Sequence, residues 1–130
     1  MKLDENNYVD LAEEAILKLR GMVNKQGRPI PMVTTSKIRN LLAMTAEIYN
    51  EAVNSKSERL SADIIGQINY LRIRCVYEAG RDAGVKNLVE TAGILEHIGG
   101  IQGSRKKYIL FSKYMEALVA YRKYYGGRDE

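Results

Sequence analysis

Between Ile64 and Arg81 one helical period carries two faces, and that period limits what the whole chain can become. At about 100° per residue, Ile64, Ile65, Ile68, Leu71, Cys75 and Val76 fall on one broad side. Apolar residues recur at the same spacing elsewhere, with no strand-like alternation of useful length and no internal repeat. The pattern predicts an all-α fold, a compact bundle of about five helices.

The opposite side of that helix carries Tyr70, Arg74, Tyr77 and Arg81. An interior needs only the apolar stripe. Alternating aromatic and guanidinium groups can stack on bases or sugars and pair with phosphate. The same residues could instead cover a neighbouring helix, with the arginines bordering it. Gly66 lies near this side, where a missing side chain would let a backbone or ligand approach closely.

The remaining helices follow from caps and breakers. The first spans about Tyr8 to Arg20, with Val9, Leu11, Ala12, Ala15, Ile16 and Leu19 apolar and Gly21 as a stop. Gly21 to Pro31 holds both prolines and reads as an exposed connection. A second helix starts at Thr34, Thr35 or Ser36 and continues to about Val53. Ile38, Leu41, Leu42, Thr45, Ile48, Tyr49 and Ala52 face inward, and Arg39 points away. The third opens at Ser61, with Leu60 and Ile65 placed as a hydrophobic staple, and lasts to about Asp82. Gly84 separates it from a fourth, Val85 to Ile98, with Leu88, Val89, Ala92 and Leu95 inside. Gly99, Gly100 and Gly103 then lead to a last helix, Ser104 to Tyr125, closed by Gly126 and Gly127.

At 130 residues the chain, 1–130, is expected to be a single domain with a core that needs neither disulfide nor metal. No stretch approaches the roughly 20 apolar residues of a membrane span. Met1 to Tyr8 is polar and acidic rather than a signal peptide, so the expected location is cytoplasmic. Cys75 is the single cysteine and reads as a small buried hydrophobe. Charge is uneven along the chain. Residues 101 to 123 hold six bases, Arg105, Lys106, Lys107, Lys113, Arg122 and Lys123, against Glu116 alone. That asymmetry favours a polyanionic partner, although a solvated basic face is also common.

Catalytic raw material is sparse. His97, the single histidine, falls on the polar side of the fourth helix near its C-terminus, where the dipole accommodates partial positive charge. One histidine and one cysteine supply neither a zinc site nor a Cys-His nucleophile. The pairs Glu47 with Glu51 and Lys86 with Glu90 belong to no Glu-x-x-His motif. The glycines of Gly99 to Gly103 lack the strand before and the Lys-Ser after that a phosphate loop requires. No catalytic residue, metal or cofactor is therefore assigned, and the chain is not expected to be an enzyme. A helix-turn-helix reader around Asp82 to Gly84 is disfavoured, because Glu90 and Glu96 on its recognition helix would be repelled by phosphate.

Two arginines break the amphipathic pattern. Arg72 projects among Ile65, Ile68, Cys75 and Val76, and Arg122 follows Phe111, Met115 and Leu118. Buried arginines are costly unless paired, so each is expected to serve structure or an interface, meeting an acid within the bundle or facing a groove or a partner subunit, unless its stem packs while its head snorkels to water.

Three blocks bear a family resemblance. They are Thr34 to Arg39; Ile68 to Arg74 running into Val76 to Arg81; and Tyr114 to Tyr121 followed by Lys123, Tyr124, Tyr125, Gly126 and Gly127. Together they resemble the small subunit of the type III-A CRISPR effector, the Csm complex, over roughly residues 34 to 127. The first helix and the Gly21 to Pro31 loop fall outside it. The resemblance implies a non-catalytic helical bundle, in more than one copy, stacked into a filament beside the backbone subunits and lining the channel that holds crRNA paired with target RNA. The implied partners are crRNA and target RNA, further copies of the chain, and the backbone and large subunits. Carried over by position, Lys37, Arg39, Arg74 and Arg81 are the bases expected near RNA, joined by Tyr70 and Tyr77 of the stripe. Lys113 lies just outside the last block and stays unassigned. The alternative class is a free-standing helical nucleic-acid-binding regulator.

Overall fold

The computed structural model describes residues 2–126, so Met1 and Gly127, named above at the two ends, lie outside the described residues. Among the described residues the elements are α1 (Tyr8–Gly21), α2 (Thr35–Asn54), α3 (Ala62–Arg81), α4 (Ala83–Ala92), α5 (Ile94–Gly99) and α6 (Arg105–Tyr124). The fold is an all-α bundle. Four of the helices start on a side chain that accepts an otherwise orphaned amide of the first turn. Thr34 caps α2, Ser61 caps α3, Asp82 caps α4 and Ser104 caps α6.

The fourth predicted segment is two helices. Gly93 has a left-handed backbone, φ 65°, which ends α4 and starts α5, and glycine adopts that conformation without steric cost. Gly84, expected as a separator, lies inside α4 instead. A Cβ there would sit 2.9 Å from the backbone of Met32 and Val33, so its role is close approach rather than helix breaking. The separating residue is Asp82, which ends α3 and caps α4.

The long basic helix α6 is the centre of the bundle and packs on both α1 and α2. Tyr108, Phe111, Tyr114, Met115 and Leu118 are essentially buried, against Ile16 of α1, Ile38 and Leu41 of α2 and Leu88 of α4. Burial of two tyrosines needs partners for their hydroxyls. Tyr108 donates to the Thr45 carbonyl at 2.6 Å, and Tyr114 donates to the Ala92 carbonyl at 2.8 Å. Thr45, the polar residue expected inside α2, is buried because its own hydroxyl donates to Leu41 O at 2.9 Å.

The connections are tied down as well. Asn24 Oδ1 accepts the amides of Gln26 and Arg28, and Val23 bridges Pro29, so the exposed loop is an ordered turn. Beyond it, Pro31 to Val33 passes over the first turn of α4, held by Asn87 donating to Pro31 O at 2.9 Å and by Arg122 Nε donating to Val33 O at 2.7 Å. Arg105 crosses from α6 to the end of α2 and donates to the Ala52 and Val53 carbonyls, both at 2.8 Å. The last turn of α2 has no basic residue of its own, and Arg105 supplies that charge from another helix.

Candidate nucleic-acid interface

The inner face of α3 is Ile64, Ile68, Leu71 and Cys75, all buried. Val76, expected beside them, is 52% exposed, because the apolar arc drawn from sequence is wider than the neighbours α2 and α4 can cover. Cys75 is sealed inside. Burial, with the nearby Glu78 charge, pushes its thiol up to about 11, which makes it unreactive as a nucleophile.

The aromatic stripe is outward. Tyr70 and Tyr77 are 61% and 54% exposed, so none of the described helices covers them. Ile73, which the sequence reading does not single out, is also exposed, between the two tyrosines and Val76 on the same side. Gly66 is open as well: among the described residues, a Cβ there would meet nothing within 4 Å.

Within the stripe the charges are organised. The Arg74 and Arg81 guanidinium carbons lie 5.3 Å and 5.6 Å from the centre of the Tyr77 ring, both within cation–π range. Glu78 reaches both arginines, with Arg74 Nη2 donating to Oε2 at 2.8 Å and Arg81 Nη1 lying 3.8 Å from Oε1. From the facing helix, Lys37 in the first turn of α2 forms an ion pair with Asp82. The hydrogen bond from Lys37, reinforced by the Val85 amide, lowers the Asp82 carboxyl below its ordinary value. Lys37, Arg74 and Arg81 thus meet around one open groove of about 530 Å³ between α2, α3 and the start of α4. Arg39 does not join them. Two residues past Lys37, it is turned about 200° around α2 and does not line the groove. Tyr70 continues the stripe two turns away from Tyr77 without lining the groove.

Glu78 is the member the sequence reading misses, although its place four residues after Arg74 and three before Arg81 announces side-chain pairing on a helix surface. Asp82 carries no such local sign, because its partner is 45 positions away.

The two unusual arginines separate. Arg122 is partly buried, and its Nε donates to the Val33 carbonyl at 2.7 Å. Arg72 is exposed. It sits at the rim of a cleft with Ile65, Ile68 and Ile98, so its charge is not buried among them. His97 also departs from expectation. It is half-buried against Tyr114, ring centres 5.2 Å apart, and desolvation, partly opposed by Glu96, lowers its pKa rather than favouring a positive charge. A recognition role for α4 is further disfavoured by packing, since Val85, Leu88, Val89 and Ala92 are all in the core. Among the described residues, no group of three or more His, Cys, Asp or Glu side chains is placed to hold a metal ion. None of the described helices is long and apolar enough to cross a membrane.

Residues 13–128 match the family described as Csm2 Type III-A. The chain is 42% identical over 127 residues to the CRISPR system Cms protein Csm2 of Streptococcus thermophilus, covering 98% of each. It is 37% identical over 130 residues to the protein of the same description from Mycobacterium tuberculosis (strain CDC 1551 / Oshkosh), covering 100% of each. A third similar protein, from Enterococcus italicus, is 35% identical over 95 residues, which cover 72% of this chain and 68% of that one. The similarity includes the first helix and the loop after it, which the three sequence blocks leave outside.

Proposed function

Because the chain belongs to the Csm2 Type III-A family, we propose that it works as the non-catalytic small subunit of a type III-A CRISPR effector, the Csm complex, with the α2–α3 groove turned toward RNA. In this reading residues 1–130 act as one domain in the cytoplasm. Lys37, Arg74 and Arg81 meet phosphates, Arg39 meets them at a separate point, and Tyr70 and Tyr77 offer rings to bases or sugars. The RNA is crRNA paired with its target, and the protein partners are further copies of the chain with the backbone and large subunits. The observation that carries the reading is the outward convergence of three bases beside an exposed tyrosine, on residues that no core requires.

The test is Arg74→Ala combined with Arg81→Ala, in the isolated chain and in co-expressed complex. The variant should fold and enter the complex yet bind RNA more weakly. Its log–log salt dependence should flatten by about 0.7 for each single-strand phosphate that is no longer neutralised. Base composition should matter little, since pairing with phosphate carries no sequence information. Unchanged affinity and slope in a folded variant would reject the groove as an RNA surface. Purification with the other subunits separates this role from a free-standing regulator, because only a complex subunit should bring a guide RNA with it.

A further inference from the structure

The groove contains its own anions. Three cations, Lys37, Arg74 and Arg81, line it together with two carboxylates, Glu78 and Asp82. Glu78 spreads its two oxygens over two guanidiniums, as a phosphate would, and Asp82 takes the lysine. Both carboxylates are partly open to solvent, 25% and 23%, so an incoming ligand can reach the same cations.

We propose that Glu78 and Asp82 act as resident competitors for phosphate, lowering the groove's affinity for stray RNA so that it engages only strands held beside it by neighbouring subunits. This rests on the RNA-facing reading above. Two effects of a resident carboxylate oppose each other. It can pre-position a guanidinium and so help binding, or it can neutralise the cation and repel the arriving phosphate. Positioning has a second source here in Tyr77, whose ring both guanidiniums also contact. Repulsion then dominates, because a carboxylate this close to a phosphate is well inside the screening length at physiological salt. Weak intrinsic affinity is no handicap in an assembly, where neighbours raise the effective concentration of the RNA.

The experiment measures binding of the full chain to fluorescent single-stranded oligouridylate across a salt series. Glu78→Gln should bind about fivefold more tightly than the natural chain, the scale of one charge pair about 4 Å apart in water, with a steeper salt dependence. Asp82→Asn should change in the same direction, and because asparagine also caps helices, α4 should stay formed. Glu90→Gln, an exposed α4 carboxylate outside the groove, makes the same change in net charge and should leave affinity nearly unaltered. Unchanged or weaker binding by Glu78→Gln would overturn the proposal, as would an equal gain from Glu90→Gln. Adding Arg74→Ala and Arg81→Ala to Glu78→Gln should abolish the gain. If those two alanines alone leave the natural chain's affinity intact, the RNA-facing reading itself fails; if they weaken it while Glu78→Gln gives no gain, only the competitor proposal fails.

Discussion

Helices α3 and α6 are built from the same uncommon pairing, tyrosine and arginine at helical spacing, and use it in opposite ways. On α6 two of the tyrosines, Tyr108 and Tyr114, are buried and donate to backbone carbonyls, and Arg105 and Arg122 reach carbonyls of other segments. On α3 the tyrosines are exposed, and Arg74 and Arg81 turn to a carboxylate on their own helix. A carbonyl is a neutral acceptor fixed in the fold, and removing its donor leaves a buried group unsatisfied. A carboxylate at the surface is an exchangeable anion that phosphate can replace. The residue types therefore do not tell scaffold from surface; their acceptors do.

The comparison breaks most visibly at the tyrosines. Tyr108→Ala should lower unfolding stability by about 3–5 kcal/mol, the range for large aromatic truncation in a core. Tyr77→Ala should stay within about 0.5 kcal/mol, as exposed substitutions do. Paired urea denaturation curves would check both, and equal losses would erase the distinction. Burial also raises the Tyr114 hydroxyl to about 12, so Tyr114 should stay neutral in alkali where an exposed tyrosine ionises, a difference that ultraviolet titration reads.

A smaller effect is expected at the arginines. Arg122→Ala removes a charged donor from the Val33 carbonyl and should cost about 1.5–3 kcal/mol, more than Arg81→Ala by a margin that thermal melting can resolve. Asp82 supplies a pH-dependent term on the α3 side. Its folded pKa is lowered, so its contribution is complete above the ordinary value of 3.8 and is lost as pH falls through the folded value. The natural chain should therefore lose more stability on acidification than Asp82→Asn. Equal acid sensitivity of the two proteins would show that the Lys37 pair contributes nothing.

Periodicity makes most of this fold legible. The inner face of α3, the caps at Thr34, Ser61 and Ser104, and the glycines that stop helices all act locally, within a turn of the residues that announce them. What escapes depends on distant segments. Gly93 and Gly84 are both glycines near helix ends, but Gly93 breaks the helix through its left-handed backbone, whereas Gly84 makes room for Met32 and Val33 passing over α4, a contact with a distant segment. For His97 the sequence offers only the dipole of its own helix, but the fold half-buries it and packs it against the ring of Tyr114, seventeen positions on. The same division holds in the groove. The stripe from Tyr70 to Arg81 can be drawn on a helical wheel, whereas the pairing of Lys37 with Asp82 is a product of how α2 meets the α3–α4 junction.

The smallest expected change in stability is at Arg72, and it sharpens the comparison most. Sequence groups Arg72 with Arg122 as arginines on apolar faces, yet Arg122 is partly buried on a carbonyl and Arg72 is exposed at a cleft rim. If acceptor and burial decide the role, the two must part. Arg72→Ala should melt within experimental error of the natural chain, because a solvated guanidinium gains little from the fold it borders. Any defect should then show only in incorporation, measured as the ratio of small to backbone subunit in purified complex. A drop in melting temperature as large as that of Arg122→Ala would mean that the Arg72 stem packs as scaffold, and that α3, like α6, uses its arginines to hold the bundle together.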